Sequence, residues 1–476
     1  ITNGLKVINE VATTRPTMTD GAKIYMPENL SSAQTLIMFD GEGNAGLSDN
    51  ATTATELNAA LQDNALFDYV ATSNTDNNGT TIITASAKSA GTTASELNIT
   101  KNEAIALAQA HLSAIDDTNA DSDLEDAMGN ALNSINGVSD GKTLAKQVAP
   151  QQDLIVGSTQ ASKAVTGAVQ GVISNRMASL RSGDAYVAGM SAGDGVSANS
   201  MFLQAYGSIV EQDDKLVGSG HQAGYDSDTS GVAFGIDGIS DGGMVFGVSL
   251  SMANTDLEGK GAGKVVNDID TYTASIYMDK ASDAGYVEGS VTFGISENAS
   301  SRVINSSGLD RTLKGEFDSQ QVSVKIGGGL PYEANNGAYV TPFASVTGTL
   351  IENDAYTETS STSADNLRLR VNQDDINSVL GTVGIKAHYD TGNGVPMLSL
   401  AVNNEFGDTD IVASNTYQGG GSAFKTTTAI EEMSATLGLG YAFTNGNTDI
   451  SVAYEAQANN DDYLGHYGNI RVTSKF

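Results

Sequence analysis

From residue 201 onward, apolar residues recur at every second position, and this alternation restricts the fold more than any other feature of the sequence. Successive side chains of a β-strand point to opposite faces, so a period of two predicts strands with one apolar face and one small or polar face. The clearest run has its apolar face on Met244, Phe246, Val248, Leu250 and Met252. The same pattern recurs in residues 272–278, 287–295, 322–326, 398–402, 433–441 and 450–454. About twelve such strands can be placed before the end of the chain.

The connections between these predicted strands fall into two length classes that alternate along the chain. Short turns occupy residues 240–243, 281–285, 333–337, 391–394 and 445–447. Long, polar and acidic connections occupy residues 213–228, 257–266, 298–315, 353–373, 407–427 and 457–465. Outer-membrane barrels have short periplasmic turns and long extracellular loops, whereas a soluble β-sandwich has no reason to sort its loops by side. Residues 201–476 are therefore predicted to be mainly β, a twelve-stranded antiparallel transmembrane β-barrel with both ends on the periplasmic side.

Composition excludes several other classes of protein. The chain has 57 Asp plus Glu against 24 Lys plus Arg, a formal charge of −33 and no basic run, which argues against a nucleic-acid partner. The absence of cysteine excludes disulfide scaffolds, thiolate metal sites and cysteine nucleophiles. No run of about 18 apolar residues occurs, so contact with outer-membrane lipid is expected only through strands. Because the chain begins at Ile1 without Met or a signal peptide, it is expected to be a processed form or a fragment.

The first 200 residues differ from the rest of the chain. Fourteen of the 17 tyrosines lie after residue 200, and residues 182–200 form a connector rich in Gly and Ser. Residues 155–181 contain no Pro and many helix formers, which predicts a helix within a linker of residues 141–200. Residues 1–140 are predicted to be a small α+β region. Its strands are expected at 22–26, 35–39 and 80–86, and its helices at 54–72, 103–115 and 124–135.

Five segments of the barrel region resemble, in order, strands of one known family. They are residues 224–238 (GYDSDTSGVAFGIDG), 244–257 (MVFGVSLSMANTDL), 270–280 (DTYTASIYMDK), 339–358 (YVTPFASVTGTLIENDAYTE) and 464–476 (LGHYGNIRVTSKF). Over roughly residues 143–476 the chain is similar to the translocator domain of autotransporters, the type V secretion proteins. The resemblance implies that the helix threads the barrel pore and that residues 1–140 are a passenger, exported without enzymatic chemistry and displayed at the cell surface. It also implies the outer membrane of a Gram-negative bacterium.

Two other functions stay open from the sequence. A plugged outer-membrane diffusion channel would share the barrel and the helix, and a surface adhesin or assembly module would use the barrel as its anchor. Nothing in the sequence indicates a ligand for the passenger. No GxSxG or HExxH motif is present, so the chain is not expected to be an enzyme. His111, the only histidine in the first 200 residues, is predicted to face solvent on a helix.

The last predicted strand ends at the end of the chain. Its side chains on one face are Ile470, Val472, Ser474 and Phe476. A strand that ends on an aromatic residue with a free carboxylate resembles the signal read by the barrel-assembly machinery, which the resemblance implies as a partner. The alternative is that Phe476 is an ordinary terminal residue.

The predicted helix 155–181 needs polar surroundings. Its 27 residues span about 40 Å, enough to cross a hydrocarbon core of about 30 Å. Its polar side chains exclude a position facing lipid: Gln160, Lys163, Gln170, Asn175, Arg176 and Arg181. Arg176 or Arg181 is predicted to pair with an inward-facing carboxylate of the barrel wall. The candidates are Asp237, Asp279, Glu288 and Glu432. The alternative is a solvated basic helix end, which the helix dipole favours.

Residues 175–181 (NRMASLR) resemble the segment beside which serine-protease-type autotransporters cut themselves between two adjacent asparagines. The corresponding residues 170–174 (QGVIS) contain no pair of asparagines. Self-cleavage is therefore not expected.

An acidic run in the N-terminal region has the alternate spacing of a calcium loop, in which Ca²⁺ takes several carboxylate and amide oxygens from one turn. The candidate ligands are Asp117, Asn119, Asp121 and Asp123. Ser122 and Met128 stand where such loops have Gly and Glu. The alternative is an acidic helix N-terminus, which the helix dipole favours. Calcium is the only cofactor that the sequence suggests.

Overall fold

The computed structural model describes residues 6–9, 38–40, 55, 57–73, 81–114, 121–132, 138–181, 200–240, 242–282, 284–334, 338–361, 365–445, 447–460 and 463–475. Its helices are α1 (Ala90–Leu97), α2 (Lys101–Ala114), α3 (Ser122–Leu132), α4 (Val138–Val148) and α5 (Gln152–Arg181). Within the described residues, no helix is both long enough and apolar enough to cross a bilayer. A small N-terminal sheet has the order β1-β2-β4-β3, with β1 (Lys6–Asn9), β2 (Met38–Asp40), β3 (Phe67–Ser73) and β4 (Thr81–Ala87).

Twelve antiparallel strands form a closed barrel, as the sequence predicts. They are β5 (Ser200–Gln212), β8 (Tyr225–Ile239), β9 (Met244–Gly259), β10 (Val266–Ser282), β11 (Gly285–Ile304), β12 (Arg311–Gly329), β14 (Ala338–Asn353), β18 (Ile376–Tyr389), β19 (Val395–Glu405), β22 (Met433–Asn445), β23 (Thr448–Asn459) and β24 (Tyr463–Lys475). The pairings of β24 with β5 and of β12 with β14 complete the closure. The remaining strands lie in the connections: β6 (Lys215–Val217), β7 (Gly220–Gln222), β13 (Tyr332–Glu333), β15 (Tyr356–Thr357), β16 (Thr359–Ser360), β17 (Leu369–Gln373), β20 (Asp410–Tyr417) and β21 (Phe424–Ala429).

The strand register aligns apolar side chains around the outside of the barrel. Val248 lies opposite Ile276, Ile276 opposite Val291, and Val291 opposite Val324, so one row crosses β9 to β12. Val248, Ile276 and Val324 are exposed to the surroundings. A closed barrel leaves no strand edge unpaired, which a bilayer requires because it offers no water to the backbone. The outer face is therefore the surface that contacts lipid.

The strands on the extracellular side extend further than the sequence suggests. Residues 298–315 were expected to form a loop, but β11 continues to Ile304 and β12 begins at Arg311. The reason is burial, because Ile304 and Leu313 on the inward face of this extension belong to a large apolar core. A second antiparallel sheet, β15-β17-β20-β21, forms within the connections on the same side.

Helices α1 to α4, which we call the cap, cover these extended strands. The cap contributes Leu107, Leu124, Met128, Leu132 and Leu144, all almost completely buried. The same apolar core contains barrel-side residues Leu313, Ile351, Leu369, Ile376, Tyr417 and Phe424. The cap and the extracellular strands therefore share one core and stabilise each other.

Two local signals shape the N-terminal region. Thr100 and Glu103 form a capping box at the start of α2, because each side chain accepts a hydrogen bond from the backbone N–H of the other residue. The helix expected over residues 54–72 is wrong in its second half, where β3 lies instead. Asn64 Oδ1 accepts from the N–H groups of Leu66 and Phe67 at 2.8 and 2.7 Å, and this turn ends the helical segment.

The long helix α5 lies inside the barrel and runs from the extracellular to the periplasmic end. It begins at Gln152 rather than at residue 155 and ends at Arg181. Near its start, Asp153 accepts from the Gly261 N–H in the β9–β10 connection, and Ser158 accepts from the Asn267 side chain. Near its end, Arg176 contacts β5 and β8 close to the short β8–β9 turn. The chain thus re-enters the barrel wall at β5 on the periplasmic side.

Candidate functional site

Helix α5 packs against one side of the barrel wall through small and branched side chains. A buried cluster combines Val165, Val169, Val172, Ile173 and Met177 of α5 with Phe202, Tyr206, Ala233, Ala253 and Tyr277 of the wall. Gly157 permits the close approach near the extracellular end, because a Cβ at this position would lie 2.3 Å from Leu257 Cδ1. The helix is therefore held by shape as well as by polar contacts.

The guanidinium of Arg176 fixes the periplasmic end of α5 to the wall. Its Nε and Nη2 each donate to the Asp237 carboxylate at 2.7 Å. The hydroxyl groups of Ser200 and Tyr277 donate to the same carboxylate at 2.6 and 2.9 Å. Arg176 is 1% and Asp237 is 6% exposed, so the pair is shielded from water. A buried ion pair is tolerated when other hydrogen bonds satisfy its atoms, as Ser200 and Tyr277 do here.

Three more polar contacts join α5 to the opposite parts of the wall. Gln170 donates to Ser323 at 2.8 Å, and Lys325 donates to Ser174 at 3.0 Å. Lys163 pairs with Glu405 at 2.8 Å. The sequence reasoning missed Lys325 and Glu405 as lumen groups. The signal was present, because both occupy the polar face of an alternating strand.

The other predicted lumen charges have different surroundings. Asp279 and Glu288 are buried in the wall, and Glu288 lies close enough to Lys325 for an electrostatic interaction. Glu432 directly precedes β22 and is exposed. Arg181 is the last residue of α5, and its side chain lies outside the described part of the chain.

Strand β24 carries the residues predicted as an assembly signal. Ile470, Val472 and Ser474 are exposed on its outer face, toward lipid. Phe476 lies outside the described residues. Because β24 pairs with both β23 and β5, it is the strand that closes the barrel.

The acidic run proposed for calcium is partly placed. Both carboxylate oxygens of Asp121 accept from the Arg311 guanidinium, at 2.7 and 2.8 Å. Burial acts to raise the pKa of Asp121, but the hydrogen bonds and charge of Arg311 outweigh it and hold that pKa below its usual value. Asp123 is exposed in the first turn of α3, and Asp117 and Asn119 lie outside the described residues. Calcium stays a prediction, and Asp121 would have to leave Arg311 to bind it.

The cap interior corrects one further expectation. His111 is 1% exposed and lies edge-on to the Phe67 ring at 5.5 Å, so the prediction that it faces solvent is wrong. The face of α2 that carries His111 packs against Phe67 of β3, in a segment that the sequence predicts to be helical. Among the described residues, no group of three His, Asp or Glu side chains is arranged to hold a metal ion.

Polar contacts hold the cap on the barrel mouth. Arg302 of β11 pairs with Glu358 at 2.6 Å and donates to the Gln147 carbonyl at 2.8 Å. The Tyr417 hydroxyl donates to the Val148 carbonyl at 2.8 Å. Both carbonyls lie at the end of α4, directly before the linkage between the cap and α5. The mouth is therefore covered by residues that precede α5 in the same chain.

Comparison with known proteins agrees with this architecture. Residues 201–455, more than half of the chain, match the family model described as autotransporter beta-domain. The chain is 24% identical over 233 residues to outer membrane protein B of Rickettsia japonica and 23% identical over 279 residues to that of Rickettsia rickettsii. These matches cover 43% and 54% of the chain but only 14% and 16% of the two relatives.

A solved structure shows the same fold. The translocator domain of autotransporter NalP from Neisseria meningitidis is 17% identical, with a TM-score of 0.50 over 66% of this chain and 98% of that domain. The closed barrel, its apolar outer face and the family match together place the chain in the outer membrane of a Gram-negative bacterium. The chain belongs to the autotransporter β-domain family, the outer-membrane translocators that export a passenger carried on the same polypeptide.

Proposed function

We propose that the barrel exports the residues that precede α5 and then keeps them at the cell surface, with α5 retained in the pore and the cap docked on the mouth. The observation that carries this proposal is the apolar core shared by the cap and the extracellular strands. A passenger that only passed through would have no reason to bury its side chains against Leu313, Ile351 and Tyr417.

Three further features support retention. Arg176 and Asp237 hold the end of α5 in a buried ion pair. Residues 170–174, directly before Asn175, contain no asparagine pair for self-cleavage. Because the cap is joined to the barrel through α5, its effective concentration at the mouth is high, and docking needs little free energy per contact. The N-terminal region therefore acts as a display or adhesion module anchored by the barrel.

We also propose two partners and a non-enzymatic role. The barrel-assembly machinery would read β24 through its outward side chains Ile470, Val472 and Ser474, with Phe476 at the end. The N-terminal region would bind a ligand rather than catalyse a reaction, which is supported by the lack of hydrolase or metalloprotease motifs in the sequence.

A disulfide bond across the docked interface tests retention, since the chain has no cysteine of its own. Gln147 Nε2 donates to Asn305 Oδ1 across the cap and barrel. The double variant Gln147→Cys with Asn305→Cys should cross-link in intact cells, and an epitope placed before Ile1 should stay accessible to antibody from outside. The pair Glu96→Cys with Asn305→Cys is the control, because Glu96 contacts Lys88 within the N-terminal region instead.

The outcomes separate the candidate functions. An exposed epitope with a cross-link supports export followed by retention. An epitope that is released into the medium would contradict retention, and one that stays inside the cell would favour a plugged diffusion channel.

A further inference from the structure

The outward face of the barrel carries its charges unevenly. Carboxylates lie toward the extracellular end, where Asp228 of β8 is opposite Asp256 of β9, and Asp256 is opposite Asp268 of β10. All three are exposed. Among the described side chains of the twelve barrel strands, Lys280 and Lys314 are the basic ones that point outward, and Lys314 lies near the extracellular end of β12. Lys280 is therefore the outward-facing cation of the periplasmic half.

Lys280 lies at the depth of the periplasmic headgroups. It follows Asp268 by twelve residues on the same face of β10. The exposed side chains between them include Tyr272, Ile276 and Met278. Twelve residues span about 40 Å of strand, or roughly 30 Å across the bilayer at a tilt of 35–45°. Because this is about the thickness of the hydrocarbon core, Asp268 and Lys280 lie at its opposite borders.

A groove of about 980 Å³ runs over the outer wall in the same half of the barrel. None of the described residues of α5 lines it. Strand register places Phe246 opposite Met278 and Met278 opposite Gly289, and Ile326 lies on the other side of Gly289. These four residues line the groove, so Gly289 is a gap in a row of large side chains. A Cβ added at this position would meet its nearest atom at 3.6 Å, so the gap is open toward the lipid.

Lys280 borders this groove on its periplasmic side. It lies directly opposite Val287 of β11 and therefore diagonally beside Gly289 on the same face. Diagonal neighbours on one face of a sheet are about 7–8 Å apart. The Lys280 ammonium donates to the Gly242 carbonyl in the β8–β9 turn. An ammonium has three N–H donors, so two remain for another acceptor.

These features fit a phospholipid. An acyl chain in a groove has van der Waals contacts on more than one side, and such packing decides between positions where lipid and wall are equally apolar. The headgroup phosphate is an anion at the depth of Lys280, and a lysine near a membrane surface attracts anionic lipid. The carboxylates at the other end of the same strands repel such a headgroup. The charges therefore favour the periplasmic leaflet.

We propose that the groove binds one anionic phospholipid of the periplasmic leaflet, with an acyl chain over Gly289 and the phosphate at Lys280. This binding is independent of export and of the N-terminal region. It separates one bound lipid from those that merely surround the barrel, because the groove and the cation meet at one place on the wall.

Native mass spectrometry of the full chain, released from micelles of neutral detergent, tests the site. The probes are phosphatidylglycerol, which is anionic, and phosphatidylethanolamine, which has no net charge. The unchanged chain should retain one phosphatidylglycerol with about fivefold preference, the factor that one lysine near a membrane surface contributes. Lys280→Gln should remove the preference. Lys314→Gln is the matched control, because it removes an outward-facing lysine at the extracellular end, and it should keep the preference.

A second pair of variants tests the groove. Gly289→Leu fills the gap and should weaken binding of both lipids by roughly fivefold or more, because the acyl chain loses its contacts there. Gly348→Leu is the matched control. Gly348 lies between the outward-facing Val346 and Leu350, has open space around its Cβ and does not line the groove. It should bind both lipids as the unchanged chain does.

Photo-cross-linking locates the bound lipid. A phosphatidylglycerol with a diazirine in its acyl chain should label residues 276–291 of β10 and β11 more strongly than residues 435–441 of β22 on another part of the wall. Even labelling of the two segments would contradict a single site. Gel mobility before and after boiling verifies that each variant is folded before the measurements.

Three further results would overturn the proposal. They are equal retention of the two lipids by the unchanged chain, equal loss of phosphatidylglycerol from Lys280→Gln and Lys314→Gln, and undiminished binding by Gly289→Leu. The second result would show a general effect of charge. The third would show that the lipid lies elsewhere on the wall.

Discussion

A buried charge inside a barrel carries a large desolvation cost, and Arg176 shows how the chain compensates for one. Its guanidinium is matched by a carboxylate that also accepts hydrogen bonds from Ser200 and Tyr277. Arg176 belongs to the pore helix, whereas the residues that it contacts lie on strands at the periplasmic end of the wall. The ion pair thus adds to the apolar packing of Ile173 and Met177 in holding the end of α5 on the wall.

Replacing Arg176 with alanine should destabilise the folded barrel. The change leaves Asp237 buried without its cation, which costs about 3–5 kcal/mol when one partner of a buried pair is removed. Unfolding in urea, followed by gel mobility because the chain lacks Trp, measures the loss. The double variant Arg176→Met with Asp237→Leu should recover most of the stability, and equal losses in both variants would contradict the role of the pair.

The pH dependence of α5 docking should trace to Asp153, which lies at the extracellular start of the helix, beyond the strands' lipid-facing belt. Burial raises the pKa of Asp153 from 3.8 to about 6. Between these values the folded chain keeps a proton that the unfolded chain has released, so stability is fully present below about pH 4 and falls until about pH 6. The loss is about 3 kcal/mol at most.

Urea midpoints between pH 4 and pH 7 measure this effect. Asp153→Asn keeps an oxygen that accepts from Gly261 but cannot ionise, so its midpoint should change less over this range. The same slope in both chains would assign the pH dependence to other groups.

At the scale of elements, α5 serves as both plug and tether. It fills one side of the lumen, and it joins the cap to β5 across the membrane. The strands themselves are complete without it, because each barrel strand pairs with two other strands.

A chain that begins near Ser182 should therefore still form a barrel. It should conduct more ions than the full chain and unfold at a lower temperature, because the contacts of α5 with the lumen are lost while every barrel strand remains. Each polar contact contributes only about 1 kcal/mol, so the direction of the change is the prediction. Equal conductance and equal unfolding temperature would contradict the position of α5 in the pore.

Deleting Phe476 should lower the yield of assembled barrel without changing synthesis. The deletion removes the end of the proposed assembly signal and leaves the paired residues of β24 intact. Comparing total protein with the amount in outer-membrane fractions measures this effect. Deleting Ile1 is the control of equal size, and equal yields for the two deletions would remove support for the signal.

At the scale of the whole molecule, two cores are stacked along one axis. The core inside the barrel joins α5 to the wall. The core on the extracellular side joins the cap to the extended strands. Strands β11 and β12 extend into the core under the cap, because Ile304 and Leu313 at their extracellular ends belong to it. The cap is thus held outside the membrane by strands that begin inside it.

The folded protein should migrate differently on a gel before and after boiling. A closed barrel has all its strand edges paired and resists detergent until it is heated. Gel electrophoresis in detergent of boiled and unboiled samples measures the difference. Identical migration of a sample shown to be folded by circular dichroism would contradict the closed barrel.

The barrel strands, their outward faces and the alternation of short and long connections can be predicted from the sequence. These properties depend on side chains two positions apart and on local turn residues, which a sequence displays directly. It also identified Arg176 and Asp237 as members of a set of possible lumen partners. It did not single out their pairing, because residues 61 positions apart meet only once the barrel has closed.

Features that depend on contacts between distant segments become visible only in the folded structure. The cap buries Ile304 and Leu313, and this burial extends β11 and β12 through a stretch that is polar enough to predict a loop. Packing on β3 buries His111, and Arg311 takes the carboxylate of Asp121. The off-centre position of α5 depends on which wall offers room for its valines, and that room exists only after the strands have met.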